Sequence, residues 1–342
     1  MSQYEQALDQ LRTHPQRWLI TGAAGFIGSN LVEALLAANQ IVVGLDNCTT
    51  GRRINLELAV RAAGAGAAKR FEFVEGDIRS QDLCRKVCRN ADVILHQAAQ
   101  VSVPASVTDP TATHEINVTG FLNVLLAGRE AGVKRVVYAS SCAVYGDSTN
   151  LPLAEEEPPR PLSPYAASKL ANEGYAAALA HITGLEAVGL RYFNVFGPRQ
   201  DPKGVYAAVI PLWISAMTQR QPVRIFGDGS TSRDFCPVPN VVQANLLAAT
   251  APLGPGRHEV VNVAVGARTS LNDLFETIRA RLQTDYPHLR GFQPVYEPFR
   301  AGDIRHSHAR IDKARQLFGY TPSLSVQQGL TETLAWFRTA EK

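Results

Sequence analysis

Two side chains with acid–base chemistry stand four residues apart in the segment SPYAASKLANE. Tyr165 and Lys169 follow Ser163 and Pro164, which are typical of the N-cap and first position of a helix, so both side chains project from one helical face. A free tyrosine has a pKa of about 10 and is a poor base at neutral pH. A neighbouring cation favours the phenolate, so the pair is typical of a group that accepts a proton from an alcohol.

A serine precedes this pair at the end of an apolar run, RVVYASS (135–141). The hydroxyl of Ser141 can hydrogen-bond an alcohol oxygen during its oxidation. A tyrosine and a lysine at this spacing are common by chance, but an upstream serine and a glycine-rich turn make the combination specific. We predict Tyr165, Lys169 and Ser141 as catalytic residues.

The glycine-rich turn lies near the start of the chain, in WLITGAAGFIGSNLVEALL. Gly22, Gly25 and Gly28 follow a short apolar run and open a helical pattern. In a dinucleotide site the first glycine permits the tight turn, the second lets the backbone approach the pyrophosphate, and the third lets helix and strand pack closely. The start of the helix then faces the phosphate charge.

An acidic residue ends the next apolar run. Asp46, 18 residues after Gly28, stands where a carboxylate would bind the ribose hydroxyls and repel a 2′-phosphate. Arg52 and Arg53 weigh slightly against this, but the pattern favours NAD over NADP. Asp77 follows a later run, and we leave two roles open for it, an adenine contact or a helix cap.

These residues need a scaffold, and the first half of the chain supplies the pattern for one. Buried strands are predicted at 18–21, 41–46, 71–77, 92–99, 135–141 and 186–197, with helices between them at 26–38, 114–131 and 164–183. Strands that alternate with helices predict an α/β fold, a Rossmann-type doubly wound parallel sheet. Ligands of such sheets bind at the carboxyl edge.

The pattern changes after residue 198, where glycine and proline become frequent. Helices are predicted at 207–219, 238–250 and 270–283, separated by short strands. We predict a helical extension (1–16), an NAD-binding domain (17–197) and a smaller mixed α/β C-terminal substrate domain (198–342). Residues 238–265 are the part of it that could return to the first domain.

The composition of the chain limits the kinds of molecule that it is expected to bind. The net charge is +3 and no run of lysine or arginine resembles a nucleic-acid footprint, so we expect a small-molecule partner. Five scattered cysteines indicate a reducing compartment, and the polar N-terminus and the lack of any run of 18 apolar residues predict a cytoplasmic protein without a membrane span.

One polar segment invites a metal interpretation. RAGDIRHSHAR (300–310) holds His306 and His308 beside Asp303. A metal site needs three convergent ligands, and hydride transfer to NAD⁺ needs no metal. We therefore predict no metal and expect solvated or supporting roles for both histidines.

The sequence resembles the extended short-chain dehydrogenase/reductase family over nearly its whole length. The motifs that carry the resemblance are HQAA (96–99), Asn117-x-x-Gly120, YASS with VYGD, SPYAASK and LRYFNVFGP. Within the family the chain is most similar to nucleotide-sugar 4-epimerases, especially the UDP-N-acetylhexosamine type, with which it shares RQDPxGxYAAVIP and GDGxTSRDFC.

The resemblance implies the remaining site residues. The implied NAD contacts, besides the glycines, Asp46 and the catalytic pair, are Phe26, Ile27, Asn47, Asp77, Ile78, Gln97, Ala98, Ala99 and Tyr192. The implied UDP-sugar contacts are Ser102, Ser141, Cys142, Asn194, Gln200, Ala208, Val209, Phe226, Arg233, Arg300, Asp303 and Ser307. Arg233 and Arg300 would clamp the diphosphate, Phe226 would lie against the uracil, and Phe193 would lie near the nicotinamide.

The family also implies a reaction at C4 of the sugar. Tyr165 would take the 4-hydroxyl proton while hydride passes to NAD⁺, and the 4-keto sugar would turn and take the hydride back on its other face. Relatives that eliminate water or remove a carboxylate carry an acid shortly after the serine; here Cys142, Ala143 and Val144 follow it. Cys142 as a reactive thiol is a weaker alternative to a pocket-lining cysteine.

The sequence does not decide which UDP-sugar is the substrate. Ser307 occupies the position where a bulky tyrosine would admit only a hydroxyl at C2, so it favours an N-acetyl group. Val101 and Cys142 depart from the N-acetyl pattern, which carries Gly and Ser there. The alternatives are a UDP-glucuronate or UDP-N-acetylglucosaminuronate 4-epimerase, and a binding protein that retains an unused NAD fold. The resemblance further implies a homodimer joined by a four-helix bundle of helices 112–131 and 164–183.

Overall fold

The computed structural model describes residues 1–202, 208–299 and 304–340. The strands are β1 (Arg17–Thr21), β2 (Ile41–Asp46), β3 (Phe71–Glu75), β4 (Val93–His96), β5 (Arg135–Ser141), β6 (Glu186–Tyr192), β7 (Val195–Phe196), β8 (Arg224–Phe226), β9 (Ser232–Arg233), β10 (Cys236–Pro237), β11 (His258–Val263), β12 (Thr269–Ser270) and β13 (Val295–Glu297). The helices are α1 (Gln3–Thr13), α2 (Phe26–Ala37), α3 (Arg53–Ala62), α4 (Gln81–Cys88), α5 (Val103–Thr108), α6 (Pro110–His114), α7 (Gly120–Glu130), α8 (Pro164–Thr183), α9 (Val209–Thr218), α10 (Val238–Thr250), α11 (Leu271–Leu282), α12 (Asp312–Phe318) and α13 (Val326–Ala340).

Seven strands form one parallel sheet in the order β11-β6-β5-β4-β1-β2-β3. Strands β4, β5 and β6 are buried along their whole length, as expected for apolar strands covered by helices on both faces. From β1 the chain adds β2 and β3 on one side, and then returns to add β4, β5, β6 and β11 on the other side of β1. The strand order therefore reverses between β1 and β4. The predicted doubly wound sheet is confirmed, and its switch point lies beside the glycine-rich turn.

The strand register brings the candidate site residues to one edge. Thr21 pairs with His96 between β1 and β4, and Ser141 pairs with Tyr192 between β5 and β6. The segments that follow these strands therefore leave the sheet side by side at its carboxyl edge. Residues far apart in the chain meet there because every strand of the sheet runs in the same direction.

The strands predicted at 71–77 and 92–99 are shorter in the structure, and two other predicted elements change partway along. The strand predicted at 186–197 ends at Tyr192, and Val195–Phe196 instead forms β7, which pairs with β10 outside the main sheet. The helix predicted at 114–131 contains a π-helical turn, Glu115–Thr119, before α7. Asn117 in that turn exchanges hydrogen bonds with the backbone of Gln100, at 2.8 and 2.9 Å, which favours the wider turn.

The C-terminal half builds a second apolar core beside the sheet. Residues of α9, α11 and α13 pack around it, including Trp213, Phe275 and Leu330. The small sheets β8–β13 and β9–β12 flank this core. Helix α10 and strand β11, by contrast, belong to the main sheet layer, and the boundary near residue 198 stays a prediction. No helix within the described ranges is long and apolar enough to cross a membrane.

Candidate active site

The glycine-rich turn packs tightly against the segment that follows β4. Gly22 has a φ of +70°, and a Cβ there would lie 2.7 Å from the Ala98 nitrogen. A Cβ on Gly28 would lie 2.0 Å from the Gly22 carbonyl oxygen. Any side chain at these two positions would push the turn off the sheet. The turn can therefore present its backbone, and the start of α2 with Phe26 and Ile27, to a pyrophosphate.

Asp46 holds this turn against the end of β2. Its carboxylate accepts hydrogen bonds from the backbone nitrogens of Ala24, at 2.9 Å, and Cys48, at 2.8 Å. Arg53, which the sequence left as a possible partner for a 2′-phosphate, is paired with Glu75. Within the described ranges no arginine is bonded to the Asp46 carboxylate, which ends β2 where a dinucleotide ribose would lie, and this favours NAD.

Asp77 does not cap the following helix. Ser80 is the N-cap of α4, its hydroxyl accepting from the Leu83 nitrogen, so that alternative is wrong. Arg79 donates to the Asp77 carboxylate from its backbone nitrogen and twice from its guanidinium, and Asn47 donates at 2.9 Å. These bonds, led by the Arg79 side chain, lower the pKa of Asp77 to about 2. The adenine contact stays a prediction.

Gln97 and Tyr192, both predicted as NAD contacts, meet at the sheet edge. The Tyr192 hydroxyl donates to Gln97 at 3.2 Å and accepts from Asn245 at 2.8 Å, while Gln97 donates to the Asn245 oxygen. Ala98 and Ala99 follow Gln97, and the buried Ile78 packs on Gly120. Sequence reasoning missed Asn245, which is one of three amide side chains on the largely apolar helix α10.

The predicted catalytic residues come together between β5 and α8. Ser163 caps α8 through the Ala166 nitrogen, and Pro164 occupies its first turn, as the sequence indicated. The hydroxyl of Ser141 lies within hydrogen-bonding reach of the Tyr165 phenol. Lys169 is buried, donates to the Ala139 carbonyl at 2.8 Å, and places its Nζ 5.9 Å from the centre of the Tyr165 ring.

Burial sets the protonation of this pair in the chain alone. It raises the pKa of Tyr165 to about 12, although the Ser141 hydrogen bond opposes the shift, and it lowers the pKa of Lys169 to about 8. The phenol is therefore protonated at neutral pH in the chain alone, because burial outweighs the Ser141 hydrogen bond. A second cation near the phenol, such as the positively charged nicotinamide ring of bound NAD⁺, would favour the phenolate.

A cavity of about 310 Å³ opens beside this site in the C-terminal half. Five predicted substrate contacts line it together: Asn194, Ala208, Val209, Phe226 and Arg233. Arg224, Thr231, Phe299 and Arg305 also line it and were not predicted. The cavity thus combines aromatic rings with several guanidinium groups, which suits a base attached to a diphosphate.

The other predicted substrate contacts within the described residues, Ser102, Ser141, Cys142, Gln200 and Ser307, do not line the cavity. Ser102 caps α5 through the Ala105 nitrogen. Ser307 and the side-chain oxygen of Gln200 are buried, and neither the Ser307 hydroxyl nor that oxygen has a hydrogen-bond partner within the described residues. Arg300 and Asp303 lie outside the described residues. Burial raises the pKa of Cys142 to about 11, so its thiol is protonated at neutral pH and is a poor nucleophile.

The two histidines of the RAGDIRHSHAR segment contact different groups. His306 Nδ1 lies 2.9 Å from the Ser232 hydroxyl and 3.1 Å from an Arg268 nitrogen, whereas His308 Nε2 lies 3.2 Å from the Gly266 carbonyl. Because arginine can only donate, His306 Nδ1 accepts and is neutral. No group of three His, Cys, Asp or Glu side chains suited to a metal occurs in the described part of the chain.

Comparison with known proteins agrees with this geometry. Residues 18–264 match the model of the NAD dependent epimerase/dehydratase family. A UDP-glucose 4-epimerase of Mycolicibacterium smegmatis is 39% identical over 324 residues, 94% of this chain and 98% of its own. A UDP-glucuronate 4-epimerase of Thermodesulfobacterium geofontis is 30% identical over 323 residues, 93% and 95% of the two chains. The solved UDP-N-acetylglucosamine 4-epimerase of Methanobrevibacter ruminantium M1, in complex with UDP-N-acetylmuramic acid, superposes with a TM-score of 0.86 at 36% identity and covers 95% and 99%.

The fold and the site define an NAD-dependent enzyme with a tyrosine–lysine pair at the edge of a Rossmann-type sheet. The chain belongs to the NAD-dependent epimerase/dehydratase family. Its cofactor is NAD, and Gly22 and Gly28, where the backbone leaves no space for a Cβ, are suited to a close approach of its pyrophosphate.

Proposed function

We propose that the chain reversibly epimerises UDP-N-acetylglucosamine and UDP-N-acetylgalactosamine at C4, with UDP-glucose and UDP-galactose as a second substrate pair. This reaction would supply sugars for cell-surface polysaccharide synthesis. The proposal rests on one observation. Tyr165, Ser141 and Lys169 lie together beside a cavity that is lined by Phe226 and Arg233. The names of the relatives that cover nearly the whole chain support it.

The residues of the site have defined tasks in this reaction. Gly22, Gly28 and Asp46 would hold NAD⁺, which would supply reversible hydride transfer at C4 of the sugar. Tyr165 removes the 4-hydroxyl proton and later restores it, Ser141 hydrogen-bonds the same oxygen, and Lys169 holds a positive charge next to the phenol. Arg233 and Phe226 hold the UDP part, so the sugar can turn while its anchor stays bound.

The segment after Ser141 argues against elimination chemistry. Cys142, Ala143 and Val144 form the first turn of a short 3₁₀ helix, Cys142–Tyr145, and contain no carboxylate. A dehydratase needs an acid or base near C5 and C6 of the sugar. The protonated thiol of Cys142 does not replace it.

A uronate substrate is the second candidate, because Arg224, Arg233 and Arg305 all line the cavity. A diphosphate accounts for this positive charge, and a sugar carboxylate would add a further anion. Incubation of the purified protein with UDP-N-acetylglucosamine, UDP-glucose and UDP-glucuronate, followed by separation of the products, distinguishes the candidates. Turnover of UDP-glucuronate alone would contradict the proposal, and turnover of none of them would contradict the 4-epimerase assignment.

Ser307 provides a test of the N-acetyl preference. It is buried, its hydroxyl is unpaired within the described residues, and its backbone nitrogen donates to Ser232 beside the cavity. We expect Ser307→Tyr to lower kcat/KM for UDP-N-acetylglucosamine by about 100-fold while changing that for UDP-glucose by less than about threefold, because volume exclusion acts on the larger substituent. Ser307→Ala, which adds no bulk, is the control and should retain both activities. Equal loss of both activities in Ser307→Tyr would contradict the role as a gate.

We also propose a homodimer joined through α7 and α8. Tyr175 and Ile182 lie two helical turns apart on α8 and are 44% and 72% exposed. Burial of such side chains against a second copy would stabilise the pair. Light scattering is expected to give twice the 37.1 kDa chain mass. Ile182→Asp should shift the protein toward the monomer, whereas Ile54→Asp on α3, also exposed, should not. A monomeric wild-type protein would contradict this interface.

A further inference from the structure

A buried asparagine outside the cavity joins three separate parts of the chain. Asn262 on β11 is fully buried and uses every hydrogen-bonding group of its side chain. Its oxygen accepts from the Tyr145 hydroxyl at 2.7 Å, and its nitrogen donates to the Leu153 and Arg310 carbonyls, both at 3.0 Å. Its backbone nitrogen donates to the Glu155 carboxylate at 2.8 Å. We refer to Tyr145, Leu153, Glu155, Asn262 and Arg310 as the Asn262 cluster.

One side of the Asn262 cluster is continuous with the catalytic residues. Tyr145 ends the 3₁₀ helix that begins immediately after Ser141, and its ring is fully buried. The Arg191 guanidinium lies 4.7 Å from the centre of that ring and is paired with Glu173 at 2.8 Å. Glu173 stands one helical turn beyond Lys169 on α8. The position of Tyr145 is therefore coupled to the segment that carries Ser141 and to the helix α8 that carries Tyr165 and Lys169.

The other side of the cluster holds the segment that carries Ser307. The Leu153 nitrogen donates to the His308 carbonyl at 2.7 Å, and the Arg310 nitrogen donates to the Leu153 carbonyl at 2.8 Å. On its opposite side, the same segment is bonded to Ser232 by the Ser307 nitrogen at 3.0 Å and to Asp234 by the Ala309 nitrogen at 3.2 Å. Residues 305–310 are thus anchored from the cavity side and from the catalytic side.

We propose that Asn262 is a positioning residue that fixes the Ser307 segment relative to Ser141 and Tyr165. The inference rests on the proposed function and adds to it a residue that touches neither sugar nor cofactor. After the 4-keto sugar turns within the site, its second face must lie at hydride-transfer distance from the nicotinamide. The wall beside the sugar determines how closely the sugar is held. Removal of the carboxamide breaks its bonds to the Leu153 and Arg310 carbonyls and to the Tyr145 hydroxyl together. The Leu153 backbone stays bonded to His308 and Arg310, but Tyr145 loses its link to the wall, so the wall and the catalytic segment can move relative to each other.

The test compares two buried asparagines. Asn262→Ala is the main variant, and Tyr145→Phe, which removes a single hydroxyl, is a milder one that should fold even if the first does not. Asn240→Ala is the matched control, because Asn240 is also fully buried and bonds Ser323 and Leu324 away from the site. The measurements are kcat and KM with UDP-N-acetylglucosamine, UDP affinity, thermal unfolding, and the fraction of bound nicotinamide that absorbs as NADH during turnover.

We expect Asn262→Ala to lower kcat about tenfold and to raise the bound NADH fraction, with UDP affinity unchanged because the cavity residues are intact. Tyr145→Phe should show the same changes to a smaller degree. Asn240→Ala should lower the unfolding temperature but leave kcat and the NADH fraction at the wild-type values. The inference is overturned if Asn262→Ala and Tyr145→Phe resemble Asn240→Ala. An inactive wild-type protein would instead overturn the proposed function, and the inference with it.

Discussion

Replacement of Tyr165 by phenylalanine is expected to lower kcat about 1,000-fold, equivalent to about 4 kcal/mol of transition-state stabilisation. The Ser141 hydroxyl hydrogen-bonds the phenol, Lys169 donates to the Ala139 carbonyl, and burial raises the pKa of the Cys142 thiol to about 11. We therefore expect no side chain among the described residues to take over the proton. UDP affinity should stay close to the wild-type value, because the cavity with Phe226 and Arg233 does not include Tyr165.

The measurement is steady-state turnover of UDP-N-acetylglucosamine together with UDP titration by calorimetry. Tyr4→Phe on the N-terminal helix α1 is the control for the loss of a tyrosine hydroxyl and should be fully active. A Tyr165→Phe enzyme within about tenfold of wild type would remove the tyrosine from the acid–base role. Joint loss of activity and UDP affinity would point instead to a folding defect.

Replacement of Gly28 by alanine is expected to abolish most NAD⁺ binding. The added Cβ would lie 2.0 Å from the Gly22 carbonyl oxygen and 2.9 Å from the Ala23 Cα, so backbone rather than a flexible side chain must move. Overpacking of this kind costs about 1–3 kcal/mol, and a cost of about 3 kcal/mol in the bound geometry lowers NAD⁺ affinity by about 100-fold. The unfolding temperature should fall as well.

NAD⁺ titration of the apoprotein gives the affinity directly. Gly174→Ala is the matched control, since Gly174 is also a helical glycine but a Cβ there meets nothing within 4 Å. That variant should keep its NAD⁺ affinity, and its stability should rise because alanine favours helix by about 1 kcal/mol over glycine. Unchanged NAD⁺ affinity in Gly28→Ala would show that the turn is not the pyrophosphate cradle.

Features that depend on nearby residues were predictable from the sequence. The spacing of Gly22, Gly25 and Gly28, and of Tyr165 and Lys169, is set by the geometry of a turn and of a helix, and Ser163 and Pro164 mark where that helix begins. The alternation of apolar runs with helical patterns likewise predicted the doubly wound sheet and six of its strands. Local backbone geometry and hydrophobic periodicity depend only on residues that are close together in the sequence. These features depend on nothing else, so the sequence was sufficient to predict them.

The cavity and the coupling around it were decided by the tertiary structure. Arg224, Thr231 and Arg305 line the cavity from three separate segments, and Asn245 meets Tyr192 only because α10 packs on the main sheet. Asn262 has no signal in the sequence at all, since its importance lies in bonds to residues 48 to 117 positions away.

The protonation of the catalytic residues was also decided by the tertiary structure. The sequence places a lysine one turn from Tyr165 and so favours a lowered pKa, yet burial raises the pKa of Tyr165 to about 12. Desolvation depends on how many atoms surround a group from all parts of the chain. The sequence by itself therefore determined which groups could do the chemistry, and the packing of distant segments decided their charge, their spacing and the shape of the pocket that they serve.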